Sequence, residues 1–348
     1  MFRANTVFVI GAGASYEAGL PLGSELLRRV AQSTNLGFQH NRLTRGDAVV
    51  HSALRRVLDE GPKVELMNRH IRAAWQVNKA AEQALSIDNV IDALETPEVE
   101  LVGKIGIALE ILRGESQSGH FNHVRERPGE LVLEGFDGTW YRGLTQALTE
   151  GVRLSNIEDI YNNFSVINFN YDRSLEYYLS HSIAQYYGVE LERSRELISR
   201  IKIVRPYGRV GKLPWQGGDD ASVEFGLANE RSVADVSGQI RTFTEQIDDK
   251  SFVQSVDEIF LTAQRVIFLG FAYHPQNMQL IGRRVEAPIE FLGTVSGIST
   301  ADSDVVRREI NRQFGEDHET SHRITLADTR CSQLFNDYWR TLVSESVN

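Results

Sequence analysis

Two short segments concentrate the residue types that could do chemistry. The first is Gly11-Ala12-Gly13-Ala14-Ser15, which comes after the apolar run Thr6-Val7-Phe8-Val9-Ile10 and leads on to Gly19-Leu20-Pro21. Glycines in such a turn let the backbone approach a ligand, and a helix start beyond it offers free N–H groups to a pyrophosphate. The second is Asn168-Phe169-Asn170-Tyr171-Asp172, after the run Phe164-Ser165-Val166-Ile167. The side-chain oxygens of Asn170 and Asp172 could set a dipole and a charge beside a developing positive centre. Asn and Asp at a strand-to-helix junction also cap helices, and the residues alone leave both readings open. A dehydrogenase fingerprint, G-x-G-x-x-G, would need glycine where Tyr16 stands, and a second strand with an acidic end within about 30 residues. The chain instead continues into Ser24 to Val30, which reads as a helix with Ser24 as its N-cap. Dinucleotide-dependent redox chemistry is therefore disfavoured. Cys331 is the single cysteine, so an intrachain disulfide and a multi-cysteine zinc site are both excluded.

These segments need a sheet to position them. Continuous apolar, β-branched runs at Thr6–Ile10, Phe164–Ile167, Ile201–Val204, Val266–Leu269 and Ile289–Leu292, with a weaker one at Arg323–Leu326, read as parallel strands buried on both faces. Helical stripes lie between them: Leu175, Leu179 and Ile183, and then Phe252, Val256, Ile259, Phe260 and Ala263. The expected fold is α/β, a Rossmann-like parallel sheet with helices on both faces. Residues 24–150 show almost only helical periodicity, with stripes Val50-Ala53-Leu54-Val57-Leu58 and Val102-Ile105-Leu109-Leu112, and read as a large helical insertion within a single domain. Gly114 to Gly138, with Pro128 and five glycines, reads as a long loop inside it. Residues 285–348 read as closing elements, with helices at Ala301–Gln313 and Thr329–Val343; the stripe Phe335, Tyr338, Trp339, Leu342 on the last is core or an oligomer contact.

A chain of 348 residues that is 41% hydrophobic and 24% charged has the means to bury one large core. Its formal charge of −10 argues against bulk electrostatic binding to nucleic acid or to an anionic membrane. No apolar run approaches the roughly 20 residues of a membrane span, and the run Val7 to Ile10 is too short for a signal-peptide core. The expected location is the cytoplasm.

The order of the segments resembles the sirtuin-like family, in its zinc-less bacterial branch of NAD glycohydrolase domains used in anti-phage defence. The resemblance rests on the Gly11–Ser15 turn with Gly19-Leu20-Pro21, on Ser86-Ile87-Asp88-Asn89, on Asn170-Tyr171-Asp172 after a strand, and on Leu269-Gly270-Phe271-Ala272. It implies that Gly11, Ala12, Gly13 and Ser15 cradle the pyrophosphate and its riboses, with Leu20, Asp88 and Phe271 also on the nucleotide side. It implies that Asn170 lies under the nicotinamide ribose and holds the attacking water or ribose hydroxyl. Asp172 would accept from the nicotinamide carboxamide, and Gly270 would admit the adenosine half. NAD is then the substrate, with no metal required.

One position departs from that family. A histidine usually precedes a glycine after the next strand, as a base near the ribose; here the segment is Val204-Arg205-Pro206-Tyr207-Gly208. A phenol with a reference pKa near 10 is scarcely ionised at neutral pH, so Tyr207 could orient a hydroxyl more readily than take a proton; His274 and His181 are the candidate substitutes. The expected activity is conversion of NAD to nicotinamide and ADP-ribose, as an effector switched on by a partner or by assembly. The alternative is a weakened NAD- or ADP-ribose-binding sensor or scaffold. A protein deacylase of this family carries a four-cysteine zinc module, which this chain lacks. Expected partners are NAD or ADP-ribose, further copies of the chain, and a HerA-type ATPase or an Argonaute-like protein, with no direct nucleic acid and no membrane.

Overall fold

The computed structural model describes residues 1–58, 63–121, 131–247, 249–285, 287–315 and 322–345. Its centre is a six-stranded parallel sheet built from β1 (Thr6–Ile10), β4 (Phe164–Asn168), β5 (Lys202–Val204), β6 (Arg265–Leu269), β7 (Glu290–Thr294) and β8 (Arg323–Ala327). The spatial order is β5-β4-β1-β6-β7-β8. Numbered among the parallel strands alone, that is 3-2-1-4-5-6, the doubly wound Rossmann order. The apolar runs form these strands because β1 and β6 are buried at every residue, which only a sheet covered on both faces allows.

Successive residues of β1 serve opposite cores, as the two-residue strand period demands. Val7 and Val9 pack into one cluster, Phe8 and Ile10 into the other. The first cluster is closed by α2 (Gly23–Thr34), α3 (Ala48–Val57), α5 (Ile87–Leu94) and α6 (Pro97–Gln117), with α4 (Lys63–Ala81) packed on α2 and α6. The last helix of the insertion, α7 (Trp140–Thr149), and α8 (Ser174–Tyr187) beyond it cover the second face. Further helices are α1 (Ala12–Tyr16), α9 (Leu191–Ile198), α10 (Glu230–Ser237), α11 (Phe243–Ile247), α12 (Lys250–Phe260), α13 (Pro275–Ile281), α14 (Thr300–Phe314), α15 (Cys331–Asp337) and α16 (Trp339–Val343).

Several local expectations are corrected. The insertion is not wholly helical: β2 (Gly37–Gln39) and β3 (Arg42–Arg45) form an antiparallel hairpin within it. They are too short and too exposed to show an alternating pattern. Ser24 does not cap α2, because the Leu22 carbonyl already accepts from the Leu26 amide and the helix begins before Ser24. Val57 is exposed at the end of its stripe. Gly114 belongs to α6, which runs to Gln117, and Leu133–Phe136 is a 3₁₀ turn, so the expected loop is shorter; Pro128 and Gly129 lie outside the described residues. The last helix is split at Tyr338 into α15 and α16, and its stripe is core, with Phe335 and Leu342 buried and Tyr338 and Trp339 packed against them. No described helix is long and apolar enough to cross a membrane.

Candidate functional site

In a 3-2-1-4-5-6 sheet the strand order reverses between its two central strands, and ligands of open α/β sheets bind outside the carboxyl ends at that switch point. Here the switch lies between β1 and β6. Register places Ile10 opposite Asn168 on one side and Leu269 on the other. The three strands therefore end level, and the Gly11, Phe169 and Gly270 turns leave the sheet side by side. Both segments that carry chemical residue types meet there.

The glycines make this close approach possible. A Cβ on Gly270, whose φ is +56°, would stand 2.1 Å from the Ala14 nitrogen; one on Gly13 would stand 2.8 Å from the Gly270 Cα. A Cβ on Gly11 would meet the Gly270 carbonyl oxygen at 2.6 Å. The two turns are also stitched by backbone bonds, Gly11 N–H to the Leu269 carbonyl at 3.0 Å and Gly13 N–H to the Gly270 carbonyl at 2.9 Å. These amides, expected to face a pyrophosphate, are spent inside the protein. The Ala12 amide, first in the short helix α1 (Ala12–Tyr16), has no acceptor among the described residues.

Ser15, Asn170 and Asp172 form one hydrogen-bonded group, each less than a tenth exposed. Ser15 Oγ donates to Asp172 Oδ2 at 2.7 Å, and Asn170 Nδ2 donates to Ser15 Oγ at 2.8 Å and to the Gly11 carbonyl at 2.9 Å. Because the Gly11 carbonyl can only accept, the amide of Asn170 has one permitted orientation. Its oxygen is left free: Asn170 Oδ1 accepts from no described residue and is not fully buried. It is an oriented acceptor that keeps access to solvent. Asp172 Oδ1 accepts the Ser174 amide at 3.0 Å, so the carboxylate does take part in starting α8 while its other oxygen holds Ser15.

Comparison with family models and with curated proteins finds no match for this chain.

Around the group lies a half-polar shell drawn from four other elements. Asp88 stands at the start of α5, whose N-cap is Ser86, and its carboxylate accepts from the Tyr171 hydroxyl. Desolvation pushes the Asp88 carboxyl above its ordinary range, against the pull of that hydrogen bond. Tyr207 donates to Asn277 Oδ1 at 2.7 Å. Desolvation, and then the charges of Asp88 and Asp92, raise its phenol well above the ordinary value, so Tyr207 holds its proton even more firmly than free tyrosine. Phe169 meets Tyr207 edge to face with ring centroids 5.8 Å apart, and packs at a tilt against Phe271 at 5.0 Å.

The other expected site residues lie elsewhere. Leu20, expected on the nucleotide side, is 2% exposed and belongs to the second core, because its backbone folds back on the Ser15 carbonyl. His274 is exposed at the N-cap of α13, and its side chain makes no hydrogen bond among the described residues. His181 is buried on α8, two turns beyond Asp172, with Nδ1 on the Tyr177 carbonyl; burial lowers its pKa. Among the described residues no group of His, Cys, Asp and Glu could hold a metal ion. A cavity of about 350 Å³ lies at the opposite edge, at the amino ends of β1, β4 and β5, lined by Thr6, Tyr161, Arg200, Lys202 and Glu258. It contains none of the expected site residues, and its charged groups already pair with one another at the surface.

Two ion pairs that hold the Asn170–Asp172 turn were not foreseen. Arg173 and Glu115 meet at 2.6 Å with both side chains wholly buried. Arg205 reaches Glu176 with a two-pronged contact at 2.7 and 2.8 Å. Burial pushes the Glu176 carboxyl up, but Arg205 and Arg209 outweigh it and leave the group below the ordinary carboxylate range. Arg209 itself is lowered to about 10, first by burial and then by Arg205 beside it. One signal was present: Glu176 sits beside Leu175 on the inward face of α8, and an acid there demands a partner.

Proposed function

We propose that the protein is an NAD glycohydrolase, converting NAD to nicotinamide and ADP-ribose. In this reading it is the effector of a bacterial anti-phage, abortive-infection system, and a partner or self-assembly switches it on. The observation that carries the reading is Asn170. Its amide is anchored on Gly11 and Ser15, and its free oxygen stands at the switch point beside the glycine turn.

The chemistry suits that arrangement. Nicotinamide departs from a pyridinium as a neutral molecule, so its leaving needs no proton. The transition state resembles an oxocarbenium ion, as in glycoside hydrolysis. A fixed dipole with its negative end at the ribose stabilises such an ion without reorganisation, and the Asp172 carboxylate adds negative charge behind Ser15. The same Asn170 oxygen can accept from the ribose hydroxyl or the attacking water. The raised phenol of Tyr207 is unsuited to general-base work, so the reaction forgoes the roughly 10²–10⁴-fold that a base supplies. Tyr207 instead holds Asn277 against the loop.

The test is nicotinamide release from NAD by the pure protein, alone and assembled with candidate partners. The reading predicts release, reduced about 10²-fold by Asn170→Ala, a loss on the scale of one removed stabilising dipole. The state of Tyr207 favours one second reading, an NAD- or ADP-ribose-binding sensor or scaffold. Tight binding of either nucleotide with no release in any assembly would decide for it.

A further inference from the structure

The loop after β5 holds the Asn170 turn from behind, and one side chain makes most of that grip. Arg205 Nη1 donates to the carbonyl oxygens of Asn170 at 2.8 Å and of Asp172 at 3.0 Å. Its Nη2 donates to both carboxylate oxygens of Glu176, one turn further along α8. The carbonyl between them, of Tyr171, accepts the Val210 amide at 3.0 Å. Three successive carbonyls are thus fixed by a single loop. The side chains of Arg205 and Glu176 are only 7% and 1% exposed, so solvent cannot take over these bonds.

We infer that Arg205, backed by Glu176, is the positioning residue that sets where the free oxygen of Asn170 points. The inference rests on the NAD glycohydrolase reading for its kinetic readout. The physical ground is the planar fork of the guanidinium. It spans two carbonyls with one nitrogen and a carboxylate with another, at fixed relative geometry. A lysine keeps the charge but supplies one nitrogen, which cannot serve both ends. The Asn170 side chain would keep its contacts with Gly11 and Ser15, while its backbone loses the support that aims it. A displacement near 1 Å at a reacting group costs up to about 10²-fold in rate. Substrate binding, made over the whole dinucleotide, changes far less, so the loss falls on kcat.

The test uses two variants and two readouts. Arg205→Lys keeps the buried charge of Glu176 compensated; Arg205→Met combined with Glu176→Met removes both charges, so that neither is left unpaired in the interior. The first readout is NAD turnover, which should fall between ten- and a hundredfold in kcat for both variants, with KM changed less than about threefold. The second needs no turnover: the side-chain amide ¹H–¹⁵N resonances of Asn170, assigned by their disappearance in Asn170→Ala. They should shift or broaden in both variants while thermal unfolding remains a single cooperative transition. Wild-type kcat with unmoved Asn170 resonances in the two folded variants would overturn the inference. A wild-type protein that never releases nicotinamide would overturn the glycohydrolase reading instead, and the Asn170 resonances would then decide the role of Arg205 alone.

Discussion

Gly270→Ala tests the interlocked turns most severely. The added Cβ would lie 2.1 Å from the Ala14 nitrogen, 2.3 Å from the Gly13 carbonyl carbon and 2.6 Å from its Cα. All three are backbone atoms, so no side chain can rotate away, and the turns must part by more than about 1 Å to reach ordinary contact. Holding alanine at a φ of +56° costs about 1–2 kcal/mol. Overpacking adds about 1–3 kcal/mol, and the two backbone bonds that join the turns are worth about 1 kcal/mol each. The total is roughly 4–7 kcal/mol, in the range reserved for a named structural lesion. With an unfolding entropy of about 2.1 cal/mol/K per residue, this chain should melt about 5–10 °C lower. Gly238→Ala is the control, since a Cβ there meets nothing within 4 Å. Differential scanning calorimetry gives the shift, and isothermal titration with ADP-ribose reports the fate of the turn. An unchanged melting temperature together with unchanged binding in Gly270→Ala would refute the interlocking.

Three further outcomes are expected. Ser15→Ala strips Asp172 of its side-chain donor and Asn170 of one acceptor; a buried bond to a charged group is worth about 1.5–3 kcal/mol, so denaturant melts should show a loss of that size and nicotinamide release should fall at least tenfold. Tyr207→Phe should keep NAD turnover within about tenfold, with the alkaline limb of the pH profile unchanged, because the phenol does not ionise there; a loss beyond about 10³-fold with disappearance of one ionisation would make Tyr207 the base after all. Asp88 is raised above its ordinary 3.8 by desolvation, so the folded state holds that proton more tightly than the unfolded chain. Its contribution to stability is therefore full below that ordinary value and declines as pH rises through the raised one. Asp88→Asn, which can still accept from Tyr171, should be at least as stable as wild type above that window in pH-dependent melts and should flatten the dependence.

The strands were legible because burial on both faces writes an apolar run, and β1, β4 and β6 each have one ending at the residues of interest; their order, and with it the switch point, came only from the structure. The pairing of Asn170 with Ser15 was accessible only through topology: 155 positions separate them, and the sheet brings them together. The hairpin at 37–45 stayed hidden because Phe38 and Leu43 are too few to make a pattern. Leu20 misled because its neighbours Gly19 and Pro21 mark a turn, while the leucine itself turns inward. The glycines were read as a cradle for a ligand; their first task is to let two strands' turns touch each other. Arg205 stood inside a segment singled out for Tyr207, yet nothing along the chain announces that a side chain will span two carbonyls and a carboxylate. Charge pairs of this kind are set by three-dimensional approach and leave no period in the sequence.

The central claim is that a dinucleotide lies at the carboxyl edge of β1 and β6 with its reacting ribose beside Asn170. A crystal structure of the protein with ADP-ribose tests it most directly. The pyrophosphate is predicted at the Ala12 amide and the distal ribose within hydrogen-bond reach of Asn170 Oδ1. Electron density for the nucleotide in the cavity at the amino ends of β1, β4 and β5, or a ribose remote from Asn170, would contradict it.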